Sequence, residues 1–200
     1  MLQKYDRDKG GKAMSCLEEI LSYNEKFVKD KQYEKYATDK YPDKRLLIVT
    51  CMDTRLTELL PKALNLKNGD AKILKTAGAF ISEPYGSLMR SLLVGVTLLK
   101  VEEVMVIGHH DCGLAGLTGE QVLEKLKGRG IAEEQADEVE KQGVDAAKWL
   151  SGIQSVEEGV MESVRLIQNH PFFPRDVLVH GLTIEPETGK LEVVYDGRKK

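Results

Sequence analysis

A mainly parallel α/β sheet of strand order 2-1-3-4, with an antiparallel edge strand and helices on both faces, is the fold class this sequence predicts. Three observations carry it. Apolar runs at residues 46–50, 71–75, 104–108 and 177–184 alternate with stretches of helical periodicity, the pattern of parallel strands joined by right-handed crossovers. A turn, Pro186-Glu187-Thr188-Gly189, leads from the fourth run into residues 191–195, where Leu191, Val193 and Tyr195 alternate with polar neighbours; so short a link makes a hairpin. Ahead of all strands, Met14, Leu17, Ile20, Leu21, Phe27 and Val28 fall at helical spacing, which predicts a helical arm.

Taken in order, residues 1–12 read as loose and polar, and residues 13–31 as a helix. The Lys-, Tyr- and Asp-rich segment 30–44 reads as a solvated connector. The first strand follows, then a short helix over 57–64 with Pro61 in its first turn, where proline is tolerated. Asn68-Gly69-Asp70 turns the chain into the second strand. That strand ends in Thr76-Ala77-Gly78-Ala79, small residues that let the backbone approach something closely. A helix over 82–100 with Pro84 near its start and Leu88, Leu92, Leu93, Val96 and Leu99 as its stripe leads to the third strand. Residues 119–127 and 132–142 are helical but strongly charged, and the region 119–153 reads as a variable excursion. Residues 155–170 form a helix with Val156, Val160, Val164 and Ile167 inward, stopped by Pro171. The domains are thus an arm, 1–43, and an α/β domain, 44–200.

Composition excludes several classes of function. The chain has 200 residues, 42% of them hydrophobic, and a net charge of −3. That is enough apolar material for a core, and no electrostatic basis for binding nucleic acid. No apolar run is long enough to span a bilayer, and the N-terminus lacks the apolar centre of a signal peptide. The expected location is cytoplasmic. Three cysteines, Cys16, Cys51 and Cys112, do not make a disulfide framework. Cys16 reads as ordinary helix packing.

Chemistry concentrates at two strand ends. Cys51-Met52-Asp53-Thr54-Arg55 follows the first strand, and His109-His110-Asp111-Cys112-Gly113 follows the third. Cys51, Asp53 and Arg55 share a face if the extension persists. With order 2-1-3-4 the winding reverses between strands one and three, and ligands bind beyond the carboxyl ends of strands at such a reversal. Cys51, His109 and Cys112 then come within reach of each other. Two thiolates and an imidazole suit Zn2+, with one coordination position left for chemistry. Such a zinc carries no net formal charge, so it acidifies water less than a three-histidine zinc. Arg55 can grip Asp53 bidentately and fix it as an acceptor for the proton of a zinc-bound hydroxide, which is a nucleophile at moderate pH.

These motifs resemble the β-class carbonic anhydrases: Cys-x-Asp-x-Arg after a buried strand, Ala-Gly after the second, His-x-x-Cys-Gly after the third, and a closing pattern at Gly181 and Thr188-Gly189-Lys190-Leu191. The resemblance runs from about Lys44 to Tyr195. It implies that Cys51, His109 and Cys112 bind Zn2+, with His109 rather than His110 as ligand, and that Asp53 and Arg55 form the orienting catalytic dyad. It implies reversible hydration of CO2 to bicarbonate and a proton, and a homodimer or higher assembly in which the N-terminal helix embraces a partner. Asp53 can instead leave Arg55 and become a fourth zinc ligand, as in some members. Hydrolysis of COS or CS2 by the same five residues, a non-catalytic zinc-binding assembly protein, and a thiol switch through Cys51 and Cys112 are the competing readings. His180 reads as a satisfied core histidine.

Overall fold

The computed structural model describes residues 14–199; the loose stretch expected over residues 1–12 lies outside them. The chain divides into two compact units between Thr38 and Asp39. The first holds helix α1 (Cys16–Lys29), opened by a capping box in which Ser15 and Glu18 satisfy each other's backbone N–H, and a 3-10 turn at Glu34–Tyr36 inside the expected connector. Tyr23, Phe27 and Tyr36 contact one another in series. No residue of α1 is buried, so Cys16 is exposed and is not the packing residue expected.

The second unit contains β1 (Leu46–Cys51), α2 (Leu56–Ala63), β2 (Ala71–Thr76), α3 (Ser87–Leu98), β3 (Glu103–His109), α4 (Gly119–Lys127), α5 (Glu133–Lys141), α6 (Ala146–Leu150), α7 (Val156–Asn169), β4 (Leu178–Ile184) and β5 (Leu191–Tyr195). The sheet order is β2-β1-β3-β4-β5. The first four strands run parallel, and β5 pairs antiparallel with β4, as the sequence predicts. Successive residues of β1 point to opposite faces. Leu47 and Val49 join Met89 and Leu92 of α3 and Val160, Val164 and Ile167 of α7 in one core. Leu46 and Ile48 join Leu56 and Leu60 of α2 in the other.

Three expectations are corrected. Pro61 lies inside α2, not in its first turn. Proline there forgoes a helix hydrogen bond at a cost of about 3 kcal/mol, but Leu56 and Leu60 on the same helix are fully buried, and each such leucine contributes about 1.5–3 kcal/mol. Helix α3 begins only at Ser87, with Gly86 as its N-cap; Pro84 lies in the preceding turn. Its buried face is Met89, Leu92 and Gly95, because α3 lies so close to β1 that a Cβ on Gly95 would stand 2.7 Å from Leu47 Cδ1. Helix α6 was not anticipated: Asp145 caps it, and α4 approaches it at Gly119, where a Cβ would meet Ala147 O at 1.8 Å.

Candidate metal centre

Strand β1 is flanked on both sides, in register with β2 (Thr50↔Lys75) and β3 (Thr50↔Ile107). The buried Thr50 hydroxyl ties it further to β3, donating to Ile107 O at 3.0 Å. Cys51 is the last residue of this central strand and is buried. His109 is the last residue of β3, opposite Ile184 of β4. The chain then turns through Asp111, which has a left-handed φ of 55°, and returns the buried Cys112 to the same spot. The ligand atoms of Cys51, His109 and Cys112 lie within 4.8 Å of one another. The three residues that the sequence singled out are thus brought together.

The donor set fits a metal ion. Ligand atoms on one tetrahedral zinc stand roughly 3.5–4 Å apart, given bonds of about 2.3 Å to sulfur and about 2.0 Å to nitrogen. The His109 ring is 1% exposed. Its Nδ1 lies 2.8 Å from His110 O, so Nδ1–H donates there and the Nε2 lone pair is bare. Nε2 has no hydrogen-bond partner, an orphan that a buried polar atom rarely tolerates. A backbone carbonyl behind the ring is the usual way to orient a metal-binding histidine. Burial pushes the Cys112 thiol up, and the neighbouring Cys51 and Asp53 add to this; the nearby backbone of Leu114 opposes it. Both site cysteines are free thiols. A cation would relieve that clustering of potential negative charge, at the cost of releasing the thiol protons. His110 stays outside the cluster, with its Nδ1 3.9 Å from Glu157 Oε1.

Asp53 and Arg55 meet by a different route from the one expected. The extension stops at Cys51, and Arg55 is already in a helical conformation as the residue capping α2 (φ −60°, ψ −28°). A turn, not a shared strand face, pairs them. The Arg55 backbone N–H donates to Asp53 Oδ1 at 2.8 Å, Nε lies 3.1 and 3.2 Å from the two carboxylate oxygens, and Nη2 donates to Oδ2 at 2.8 Å. These side-chain and backbone bonds from Arg55 hold the Asp53 carboxyl down to about 2, and Arg55 is correspondingly fixed as a cation. Asp53 Oδ2 stands 3.7 Å from His109 Nε2, beside the thiol and imidazole donors.

Two residues of the site escaped the sequence reading. Asp111 accepts from Arg55, as described below. Leu114 fills the gap that the small residues after β2 leave open: Gly78 has a φ of 67°, and a Cβ there would stand 2.4 Å from Leu114 Cδ2. A charged residue between His109 and Cys112 and a Gly flanked by alanines were the only local signals, and neither names its partner.

Comparison with known proteins bears on the same residues. A carbonic anhydrase family model matches residues 46–191. The Bacillus subtilis (strain 168) protein YvdA, provisionally named a carbonic anhydrase, is 55% identical over 184 residues, covering 92% of this chain and 93% of that protein. Carbon disulfide hydrolase of Acidianus sp. (strain A1-3) is 28% identical over 190 residues, covering 85% of this chain and 91% of that protein. Among solved structures, β-carbonic anhydrase isoform I of Trichomonas vaginalis superposes with a TM-score of 0.81 at 30% identity, covering 92% of this chain and all of that one. The family-model match contains β1 to β4 whole and both halves of the thiol–imidazole cluster, and on that breadth the chain belongs to the β-carbonic anhydrase family.

Proposed function

We propose that this chain is a zinc-dependent carbonic anhydrase that reversibly hydrates CO2 to bicarbonate and a proton. The observation that carries the reading is the convergence of two thiols and an orphaned imidazole nitrogen beside a carboxylate gripped by a guanidinium. Two thiolates with one imidazole suit zinc, held by Cys51, His109 and Cys112. When bound there, zinc supplies a Lewis acid that makes water nucleophilic at moderate pH.

The chain's own residues do the rest. Asp53 is ionised throughout the neutral range, because Arg55 holds its carboxyl so low. It therefore accepts a hydrogen bond at Oδ2 from the reacting water and turns that oxygen's lone pair toward carbon. Arg55 fixes the direction in which Asp53 accepts; a bidentate grip restrains rotation as a single bond does not. One C–O bond forms as a C=O π bond of CO2 opens onto its oxygen, one O–H bond of the water breaks with its proton passing to solvent, and bicarbonate departs. The Asp53 side chain is 20% exposed, so the group that orients the water also borders solvent.

The same groups serve a second reading, hydrolysis of COS or CS2, favoured by the relative named carbon disulfide hydrolase. For the arm over residues 1–43 we propose a role in a homodimer or larger assembly: Leu17, Ile20, Leu21 and Val28 are each more than half exposed. Uncovered apolar side chains in one helix suit a protein interface. A pair of free thiols at the site suits the reducing cytoplasm. No helix among the described residues is long and apolar enough to cross a membrane.

Metal analysis of the purified chain, with stopped-flow CO2 hydration and turnover of COS and CS2 on the same preparation, tests the proposal. The expected result is about one zinc per chain, as a three-ligand catalytic site requires, and CO2 turnover that disappears on chelation and returns with zinc. Full activity after zinc removal overturns the zinc reading. Turnover of COS or CS2 without CO2 hydration selects the second one.

A further inference from the structure

We propose that Asp111 is a positioning residue of this site: its carboxylate and its backbone carbonyl hold Arg55, and through Arg55 hold Asp53, so that the loops after β1 and β3 keep one relative geometry. The inference rests on the proposed roles of Asp53 and Arg55. A guanidinium offers five N–H donors in a rigid planar fork. On Arg55, Nε and Nη2 face Asp53. Nη1 donates to Asp111 Oδ2 at 3.0 Å, and Nη2 also donates to Asp111 O at 3.1 Å. The fork therefore joins the carboxylate of Asp53 to that of Asp111, which lies 56 residues beyond Arg55.

What makes the contact more than a surface ion pair is where it falls. Among the described residues, every hydrogen bond of the Arg55 guanidinium goes to Asp53 or to Asp111. Without Asp111, none of these hydrogen bonds leaves the β1 side, and the pair's side-chain approach across is that of Asp53 to His109 at 3.7 Å. Asp111 is the hydrogen-bonded tie to the turn that carries His109 and Cys112, and it sits between those two residues. Its left-handed backbone, φ 55°, is one that Asp, Asn and Gly adopt most readily. The turn alone would thus admit Asn or Gly equally well, and this separates a turn-forming role from a positioning role. The Asp111 side chain is 86% exposed and that of Arg55 40%, so solvent screens the pair. The expected effect is correspondingly modest, about two- to fivefold.

The test uses the full zinc-loaded chain with Asp111→Asn, Asp111→Gly and Asp111→Ala, and its metal-free form as comparator. Three quantities are read: zinc content, kcat/KM for CO2, and solvent exchange of the Arg55 Nε–H by nitrogen-15 NMR, with Arg55→Lys assigning the signal. The expected result is unchanged zinc content, with kcat/KM lowered about two- to fivefold in Asp111→Gly and less in Asp111→Asn, which keeps an acceptor. Arg55 Nε–H exchange should be faster in Asp111→Gly, with or without zinc. If Asp111→Asn and Asp111→Gly match the parent in rate and exchange, and only Asp111→Ala is impaired, Asp111 serves the turn alone and the proposal is overturned. If the zinc-loaded parent shows no CO2 hydration, the functional reading fails by itself; the Arg55 exchange in the metal-free and zinc-loaded chains still decides whether Asp111 holds the guanidinium.

Discussion

His109 and His180 lie on neighbouring strands, both buried, and neither Nε2 makes a hydrogen bond. Their surroundings nevertheless set them to opposite tasks. His109 stands at the carboxyl end of β3, where Nδ1–H donates to a backbone carbonyl and leaves Nε2 as a bare lone pair facing two thiols. His180 stands near the other end of β4. There Nδ1 accepts from the Gly197 N–H at 3.2 Å, so the ring proton is on Nε2, facing Glu103 Oε1 at 3.2 Å. Asp196 lies 3.6 Å from Nδ1. The first ring is arranged to give an electron pair, the second to turn an N–H toward the carboxylate of Glu103. Burial of a histidine says little about its role; the partner of the other nitrogen decides it.

The largest test of this contrast replaces each ring in turn. His109→Ala should weaken zinc binding by more than about a hundredfold, beyond the usual loss from removing a group behind a ligand, whereas His180→Ala should leave zinc stoichiometry unchanged. Competition with a chelator measures both, and equal zinc loss in the two variants would erase the distinction. Next come the carboxylates beside each ring. Asp53→Asn should retain zinc yet lower kcat/KM about a hundredfold or more, as expected for a group that handles the reacting proton. Asp196→Asn should leave the rate untouched, as stopped-flow traces will show. The smallest effect is in acid. Both Asp53 and Asp196 are held below the ordinary carboxylate range by their arginines. Their contribution to stability is fully present above about pH 4 and fades as pH falls, through about 2 for Asp53. In urea melts of the metal-free chain, the parent and Asp53→Asn should therefore differ above pH 4 and converge toward pH 2.

Much of this was legible in the residues. Apolar runs closed by chemically active residues mark β1 and β3, and their order alone brings Cys51, His109 and Cys112 together. That inference needs only strand direction and order, which hydrophobic periodicity reports. Where the outcome depended on local competition, the sequence was a poorer guide. Pro61 reads as a helix start, but two buried leucines carry the helix past it. Pro84 reads as lying near the start of a helix over 82–100 and Gly86 as inside it, but α3 starts after both. Helix α6 is only five residues long, with too few turns to show a period. Asp111 is the clearest case among the site residues. A lone Asp in a turn reads as solvated, and only the fold reveals that Arg55 lies across from it.

The pairing of β1 with β3 has one more consequence, for how the site comes into being. Thr50 and Ile107, joined by a side-chain hydrogen bond, are 57 residues apart, and parallel strands cannot close through a short hairpin. Loop-closure entropy must be overcome before such distant pairs reward the chain. During synthesis Cys51 emerges long before His109 and Cys112, and neither strand end alone holds more than part of the donor set. A slip of one residue between β1 and β3 would turn Cys51 to the opposite face. Acquisition of the full donor set thus marks the moment when the two central strands have found their correct alignment.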